Sequence, residues 1–339
     1  MGGHALKNVV TRRYARNEYY ILKERILNKL QGRIDQFDVP REFPCKESFG
    51  DIDVLMVCQS SMNIRNLIEE LFNPNEIVKN GDVYSFDFEQ FQVDFILVPE
   101  EQFDNATVYL SYSDLGGLIG NICHKIGLKY GVQGLWMNVH TQEFDPTTTS
   151  TKLILSRNVK EIFDFLGYNY EQYMKGFDSE NDFFQWIIDG KYFRDVYFDD
   201  QQLNHAHRQR TSKRPIYIKF REYLNQLSKS EINESSQDHK EFIRNIRQQA
   251  LIYFKKEEDY HQGLCQREEK RQLKDKYNGR YFCDIDDGTH MIRVHMKNFE
   301  KRFGKTDEEF HQWIVNTDHD TIKLEIEKYK NEIKHNQSS

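Results

Sequence analysis

The stretch Ser48-Phe-Gly-Asp-Ile-Asp-Val-Leu55 predicts a turn that leads into a short apolar strand carrying Asp51 and Asp53. A second run, Phe91-Gln-Val-Asp-Phe-Ile-Leu-Val98, predicts another strand with Asp94 inside it. Both runs are rich in β-branched and aromatic residues, which is typical of strands. Because side chains two residues apart on a strand point the same way, Asp51 and Asp53 share one face. Asp94 on a neighbouring strand would complete a cluster of three carboxylates.

Three carboxylates on one face repel each other unless a cation neutralises them. Ligation by oxygen alone suits Mg²⁺ or Mn²⁺, and two such ions can clamp both ends of an in-line phosphoryl displacement. The alternative is a solvated or turn-capping Asp-x-Asp pair with an unrelated third aspartate, since 30% of the residues are charged. The apolar neighbours of Asp53 and Asp94 favour the metal site, because a buried carboxylate without a partner is costly.

Length and composition indicate how many domains the chain can form and in which compartment it is expected. The chain has 339 residues, enough for two domains, and 38% of them are hydrophobic, enough for a sizeable core. No apolar run is long enough for a membrane span, and the first residues lack the apolar centre of a secretory signal. The five cysteines are scattered and form no Cys-x-x-Cys pair. We therefore expect an intracellular protein, cytoplasmic or nuclear, without a membrane partner.

The net charge of −7 is unevenly distributed along the chain. Residues 1–150 contain 14 Lys and Arg against 21 Asp and Glu, whereas the remaining residues contain 33 of each. The acidic half is the half that carries the three aspartates. Because bound metal and polyphosphate change the local balance, the net charge does not exclude a nucleic-acid substrate.

The hydrophobic pattern predicts an α+β fold with two domains. Residues 1–145 alternate between helical and strand patterns, and the polar run Asp145-Pro-Thr-Thr-Thr-Ser-Thr151 marks a boundary. Residues 146–335 are predicted to form a helical domain. The predicted helices are 8–31, 64–72, 158–174, 179–189, 215–228, 237–277, 290–303 and 306–334. The predicted strands are 52–58, 83–88, 91–98 and 135–140.

Three segments together resemble a known family. Lys46-Glu-Ser-Phe-Gly-Asp-Ile-Asp-Val-Leu-Met56 resembles the active-site signature of the polymerase β-like nucleotidyltransferase superfamily, and most of all family X DNA polymerases, which read KESxGDIDVL there. Val93-Asp-Phe-Ile-Leu-Val-Pro99 resembles the strand with the third carboxylate, and Tyr109-Leu-Ser-Tyr-Ser-Asp114 resembles the YFTGSD-like segment. The resemblance covers residues 34–135 and implies a nucleotidyltransferase palm.

The resemblance also implies a role for each matching residue. Asp51 and Asp53 would bind or bridge both metal ions, and Asp94 would hold the catalytic ion and help to activate the attacking hydroxyl. The turn that meets the triphosphate would contain Lys46, Ser48 and Gly50. Glycine there lets the backbone approach phosphate closely.

The chain departs from the family at the phosphate cradle. Family members carry a Gly-Ser pair where this chain has Pro40-Arg41. Gly2 and Gly3, in Gly2-Gly-His-Ala-Leu6, resemble the Gly-Gly-Thr-Ala-Leu element of smaller nucleotidyltransferases and are a candidate replacement. The alternative is a flexible N-terminal end.

Further departures concern the acceptor. Tyr112 replaces a glycine of the sugar-sensing turn, and Gly117 and Asn121 replace an Asn and an Arg that probe the minor groove of the primer–template. These differences disfavour templated DNA synthesis. Tyr277-Asn-Gly-Arg-Tyr-Phe282 shows some likeness to the helical region of tRNA nucleotidyltransferases.

The densest basic segment is a candidate for nucleic-acid binding. It contains Arg208, Arg210, Lys213 and Arg214, which could bind a nucleic-acid backbone or the triphosphate. The alternative is a solvated loop before a helix.

The sequence thus predicts transfer of NMP from an NTP to a hydroxyl, with release of pyrophosphate. The expected acceptor is a nucleic-acid 3′ end, in tRNA, other RNA or DNA. The alternatives are nucleotidylation of a protein or small molecule, and an inactive palm that binds nucleotides or RNA.

Overall fold

The computed structural model describes residues 5–59, 61–139, 151–199, 208–209, 211–227, 236–285, 288–303 and 306–337. The chain forms two compact units: Met1–Asn138 with Lys152–Lys256, and Val139–Thr151 with Glu257–Ser339. The predicted boundary after residue 145 lies outside the described residues and stays a prediction. The first unit nevertheless contains helices that the sequence pattern assigned to the second domain.

A five-stranded mixed sheet forms the centre of the first unit. Its order is β2-β4-β7-β6-β5, where β4 and β7 are parallel and every other pair is antiparallel. A separate pair joins β1 and β3. The strands are β1 (Tyr14–Ala15), β2 (Gln36–Asp38), β3 (Ser48–Phe49), β4 (Asp51–Val57), β5 (Ile77–Asn80), β6 (Val83–Phe88) and β7 (Phe91–Leu97). The mixed sheet and the many helices confirm the predicted α+β class.

Two helices cover one face of this sheet. Helix α1 (Arg16–Leu30) buries Tyr19, Leu22, Ile26 and Leu30, at the spacing of one helical face. Helix α2 (Ile64–Phe72) begins at an asparagine cap and ends at a left-handed asparagine. Both helices pack on alternate residues of the strands, including Ile52, Val54 and Met56 of β4 and Val93 and Phe95 of β7. The aspartates, at the intervening positions, face the other side.

A third helix covers one end of the aspartate face. Helix α3 (Phe103–Leu110) packs Phe103 and Ala106 against Leu55, two residues beyond Asp53 on the same face. The carboxyl end of β4 is therefore apolar and covered, whereas its amino end carries the acidic groups. This division sets the position of the candidate site.

The rest of the first unit contains a small sheet and further helices. Strands β8 (Lys129–Gly131), β9 (Gly134–Val139) and β10 (Thr151–Ser156) pair in the order β10-β9-β8. The helices are α4 (Leu115–Lys125), α5 (Val159–Leu166), α6 (Tyr170–Lys175), α7 (Glu180–Ile188), α8 (Pro215–Gln226) and α9 (Ser236–Tyr253).

Several predicted boundaries were wrong, each for a local reason. The helix predicted from residue 8 begins at Arg16, because the preceding residues bond to other segments: the N–H of Arg12 donates to Gln90 O, and Tyr14–Ala15 forms strand β1. The long helix predicted over 237–277 is broken at Lys255, which has a φ of 54°. Strands β5 and β10 and helix α3 were not predicted.

The second unit contains helices α10 (Glu257–Lys276), α11 (Thr289–Arg302), α12 (Asp307–Asn316) and α13 (His319–Gln337). The predicted helix 306–334 is split, because Asp318 Oδ1 accepts from the N–H of Thr321 and starts a new helix. An aromatic core joins these helices around Phe282, Phe299 and Phe310. In the part of the chain that the structure describes, no helix is both long and apolar enough to cross a membrane.

Candidate functional site

The structure brings the three predicted aspartates onto one face of two adjacent parallel strands. Asp53 on β4 lies directly opposite Asp94 on β7, and Asp51 lies opposite Gln92. Residues paired across parallel strands point to the same face, so all three carboxylates share the face that α3 leaves uncovered at this end. Each aspartate is half-buried. The geometry predicted from the strand pattern is therefore present.

Phe49 anchors the turn before the first aspartate. Its buried ring stacks on Tyr19 of α1, with ring centroids 3.7 Å apart and planes 6° apart. Stacked aromatic pairs add to the stability gained from burial. The turn with Ser48 and Gly50 is thus attached to the core at the position where β4 begins.

Electrostatic repulsion is visible in the pKa values of the cluster. Burial raises the pKa of Asp53 to about 7, and the charges of Asp51, Asp94 and Glu42 raise it as well, whereas Lys46 opposes the shift. Burial also raises the pKa of Asp94, although hydrogen bonds from Ser85 and Gln92 lower it. Carboxylates that perturb each other in this way are typical of a site that binds a cation or a proton.

Gln92 holds the carboxylate of Asp94. Its Nε2 atom donates to Oδ1 and Oδ2 of Asp94 at 3.0 and 2.9 Å, and its Oε1 accepts from the backbone N–H of Ala5 at 2.9 Å. Gln92 is only 2% exposed, so its amide is fixed by these bonds. The sequence analysis missed this residue. Gln92 could have been predicted as a partner of Asp94, because it lies two residues before Asp94 and therefore on the same face of the strand.

The three carboxylates are suitable ligands for a hard divalent cation, but their side chains are not positioned around a common point. Within the described residues, no group of three or more His, Cys, Asp or Glu side chains is placed so that it could hold a metal ion. Both oxygens of Asp94 accept hydrogen bonds from Gln92, so this carboxylate points toward the amide. The all-oxygen donor set and the raised pKa of Asp53 still match Mg²⁺ or Mn²⁺, which would relieve the repulsion.

Lys46 lies beside the cluster as a counter-charge. Its Nζ atom is 2.7 Å from Glu42 Oε2 and lies 4.5 Å from the centre of the Phe49 ring. It also lowers the pKa of Asp53. The predicted nucleotide-binding lysine is thus a cation at the edge of the acidic face.

Two arginines that the sequence analysis missed bind the turn itself. Arg13 donates through Nε and Nη2 to Ser48 Oγ at 3.2 and 3.1 Å, and through Nη2 to Ser48 O at 2.9 Å. Arg16 Nε donates to Lys46 O at 3.1 Å. No local pattern marked these residues, because Arg13 and Ser48 are 35 positions apart.

A cavity of about 270 Å³ is lined in part by Glu42. Tyr19 lines it, and the charges of Glu42, Asp53 and Asp51 raise the pKa of this hydroxyl beyond the effect of burial. The cavity therefore lies within electrostatic range of the aspartates. Tyr20, Lys23, Tyr112 and Lys175 also line the cavity and give it aromatic and basic walls.

Three departures from the family pattern have structural roles in the fold. Tyr112 is buried with a φ of 54°, a strained conformation for an aromatic residue, and packs against Phe43 and Phe183. Asn121 is buried and donates to Tyr197 O at 2.9 Å. A Cβ at Gly117 would overlap an ion pair between Asp114 and a neighbouring arginine.

That arginine is Arg214, one of the four predicted nucleic-acid ligands. Its Nη1 atom is paired with the buried Asp114, although 40% of the Arg214 side chain stays exposed. Arg208 and Lys213 are exposed. Arg210, Gly2 and Gly3 lie outside the described residues, and their roles stay predictions.

A fourth aspartate on the same face of the sheet has a different role. Asp87 on β6 is buried and accepts hydrogen bonds from the N–H of Asn75, from Asn75 Nδ2 and from the N–H of Glu76. These bonds satisfy the carboxylate completely and fix the turn after α2. Asp87 is therefore a structural residue and a natural control for the three aspartates.

Comparisons with known proteins do not assign this chain to a family. No protein-family model matches it. No curated protein matches it at a significant level.

Proposed function

We propose that this protein is a metal-dependent nucleotidyltransferase with a polymerase β-like palm. It transfers NMP from an NTP to a hydroxyl and releases pyrophosphate. The observation that carries this proposal is the pairing of Asp53 with Asp94 on parallel strands, with Asp51 on the same face. The turn that leads directly into the first of these strands is hydrogen-bonded by the side chains of Arg13 and Arg16.

In the proposed site, the acidic residues bind metal and the turn with Lys46 binds the triphosphate. Asp51, Asp53 and Asp94 would hold Mg²⁺ or Mn²⁺, which lowers the pKa of an attacking hydroxyl and neutralises charge on the leaving group. The oxygen of that hydroxyl forms a new bond to the α-phosphorus while the bond to the pyrophosphate oxygen breaks. Lys46, Ser48 and Gly50 line the turn that would receive the triphosphate, and the neighbouring cavity would receive the nucleoside.

A nucleic-acid 3′ end extended without a template is the acceptor that the site favours. In family X polymerases, the positions of Gly117 and Asn121 contact the primer–template. Here Asn121 bonds inside the fold and Gly117 makes room for the ion pair between buried Asp114 and Arg214. Because these positions serve packing, a base-paired template lacks its usual contacts. Exposed Arg208 and Lys213 are the proposed phosphate-backbone ligands.

One observation favours a second candidate, an inactive palm that binds nucleotides or RNA. Both Asp94 oxygens accept hydrogen bonds from Gln92, so metal binding requires this carboxylate to turn away. A protein in which that rearrangement does not occur would bind nucleotide without turnover. Nucleotidylation of a protein or small molecule is a further alternative in which the chemistry is unchanged.

The test is a survey of acceptors. Purified protein is incubated with each α-labelled NTP and Mg²⁺ or Mn²⁺, in separate reactions with tRNA, single-stranded RNA, primed DNA and a mixture of proteins. Label on RNA or single-stranded ends supports the first proposal, and label on protein supports the alternative acceptor. Salt-sensitive RNA binding without any pyrophosphate release supports the inactive palm and contradicts the proposed enzyme.

A further inference from the structure

The residues just before helix α1 run alongside the turn that leads to the aspartates. Tyr14 pairs with Phe49 and Ala15 with Ser48, and the N–H of Arg16 donates to Glu47 O at 3.0 Å. This short ladder fixes Arg13 and Arg16 at its two ends. Both arginines therefore lie against residues 46–48, which precede Phe49, Gly50 and Asp51 in the chain.

We propose that Arg13 and Arg16 bind the β- and γ-phosphates of the incoming NTP and replace the missing Gly-Ser cradle. This inference rests on the proposed nucleotidyltransferase function. Arg13 and Arg16 would contact the pyrophosphate part of the nucleotide, which becomes the leaving group.

Unused hydrogen-bond donors support the inference. Arg13 bonds Ser48 through Nε and Nη2, and Arg16 bonds Lys46 O through Nε. Within the described ranges, Nη1 of Arg13 and both Nη groups of Arg16 have no hydrogen-bond acceptor. A guanidinium held on one edge presents its other donors in a fixed plane, which matches the oxygens of a phosphate.

The position of the family's Gly-Ser pair offers no replacement of its own. Arg41 occupies part of it, but its Nη1 atom donates to Tyr173 O at 2.6 Å and to Met174 O at 3.0 Å. This guanidinium thus holds the end of helix α6. Pro40 has no N–H to offer a phosphate. A cation source is needed elsewhere, and Arg13 and Arg16 are bonded to the turn itself.

Charge balance points the same way. Lys46, which acts on Asp53, is already paired with Glu42. A triphosphate would add further negative charge beside these groups. Arg13 and Arg16 place two further positive charges at the turn that precedes Asp51.

The alternative is that Arg13 only braces Ser48. A brace and a phosphate ligand differ in whether a retained positive charge compensates for the lost guanidinium. Loss of a brace distorts the turn in Arg13→Lys as much as in Arg13→Gln, whereas loss of a phosphate ligand is partly offset by the lysine charge and leaves NMP binding unchanged.

The experiment measures affinities for an NTP and for the matching NMP by titration calorimetry, with Ca²⁺ in place of Mg²⁺ to prevent turnover. The variants are Arg13→Gln, Arg16→Gln and Arg13→Lys. Arg12→Gln is the matched control, because Arg12 pairs with Glu18 and lies over the Tyr14 ring. It removes the same charge from the adjacent residue.

We expect NTP affinity to fall about 10- to 100-fold in each Gln variant, the range for a lost charge-assisted hydrogen bond. NMP affinity should change less than about threefold, and Arg12→Gln should match the wild type. Arg13→Lys, which keeps the charge, should lose less NTP affinity than Arg13→Gln.

Equal losses for NTP and NMP, or unchanged NTP binding in Arg13→Gln and Arg16→Gln, would overturn the inference. Should Arg13→Gln fail to fold, Arg16→Gln and Arg13→Lys decide by the same comparison. A wild-type protein that binds no NTP refutes the proposed function itself. The two failures are therefore distinguishable.

Discussion

Replacing Asp53 with Asn should stabilise the metal-free protein at pH 8 and leave its stability unchanged at pH 4. The folded protein raises the pKa of Asp53 to about 7, mainly by burial and by the charges of Asp51 and Asp94. Folding therefore binds a proton between pH 4 and pH 7. An acid with a raised pKa contributes most stability below its unfolded value, and this contribution is lost as the pH rises through the folded value.

The size of the effect follows from the two pKa values. The difference between an ordinary value of 3.8 and a value of about 7 corresponds to about 4 kcal/mol, at about 1.4 kcal/mol per pKa unit. Asn has nearly the same shape and no charge. Its gain over Asp53 should therefore grow from near zero at pH 4 to about 4 kcal/mol above pH 7.

The assay is urea unfolding in EDTA, for wild type and Asp53→Asn at intervals from pH 4 to pH 8. The difference between the two proteins isolates Asp53, because every other titrating group is shared. A second series with Mg²⁺ should stabilise the wild type at high pH and leave the variant unaffected. A difference that does not vary with pH, or an Asn variant less stable at pH 8, would contradict the reasoning.

Three further changes test the roles of neighbouring residues. Asp87→Ala should cost about 3 kcal/mol in urea unfolding, because three donors lose their acceptor, yet leave the rate of nucleotide transfer near that of the wild type. Gly117→Ala should cost about 2 kcal/mol by forcing apart the ion pair of Asp114, whereas Gly120→Ala, with Tyr130 O at 3.4 Å as its nearest neighbour, should be neutral or stabilising in thermal unfolding. Gln92→Leu should keep the fold by circular dichroism and lower the Mg²⁺ concentration needed for half-maximal transfer by about threefold to tenfold, since Asp94 no longer has to break two hydrogen bonds to this amide before it binds metal.

Local patterns were sufficient to predict the parts of the site that lie within single elements. Strands β4, β6 and β7 and helix α2 could be predicted, because the spacing of apolar residues along the chain indicates which face of the strand or helix is buried. The common face of Asp51 and Asp53 follows from a two-residue spacing alone. The position of Asp94 opposite Asp53 needed one further assumption, that two apolar strands lie side by side.

Contacts between distant segments could not be predicted. The bond between Ala5 and Gln92 joins residues 87 positions apart, and the bonds between Arg13 and Ser48 span 35 positions. Such contacts depend on the folded sheet and leave no periodic signal along the chain. For the same reason, the helical pattern before Arg16 was misleading, because tertiary hydrogen bonds override local helix propensity there.

The most direct test is the Mg²⁺- or Mn²⁺-dependent transfer of α-labelled NMP by wild type, Asp94→Asn and Asp87→Ala under identical conditions. We expect transfer by the wild type and comparable transfer by folded Asp87→Ala. The transfer rate of Asp94→Asn should fall about 1000-fold or more, because this variant lacks one carboxylate of the proposed metal site. Wild-type activity in Asp94→Asn would contradict a catalytic centre built on Asp51, Asp53 and Asp94.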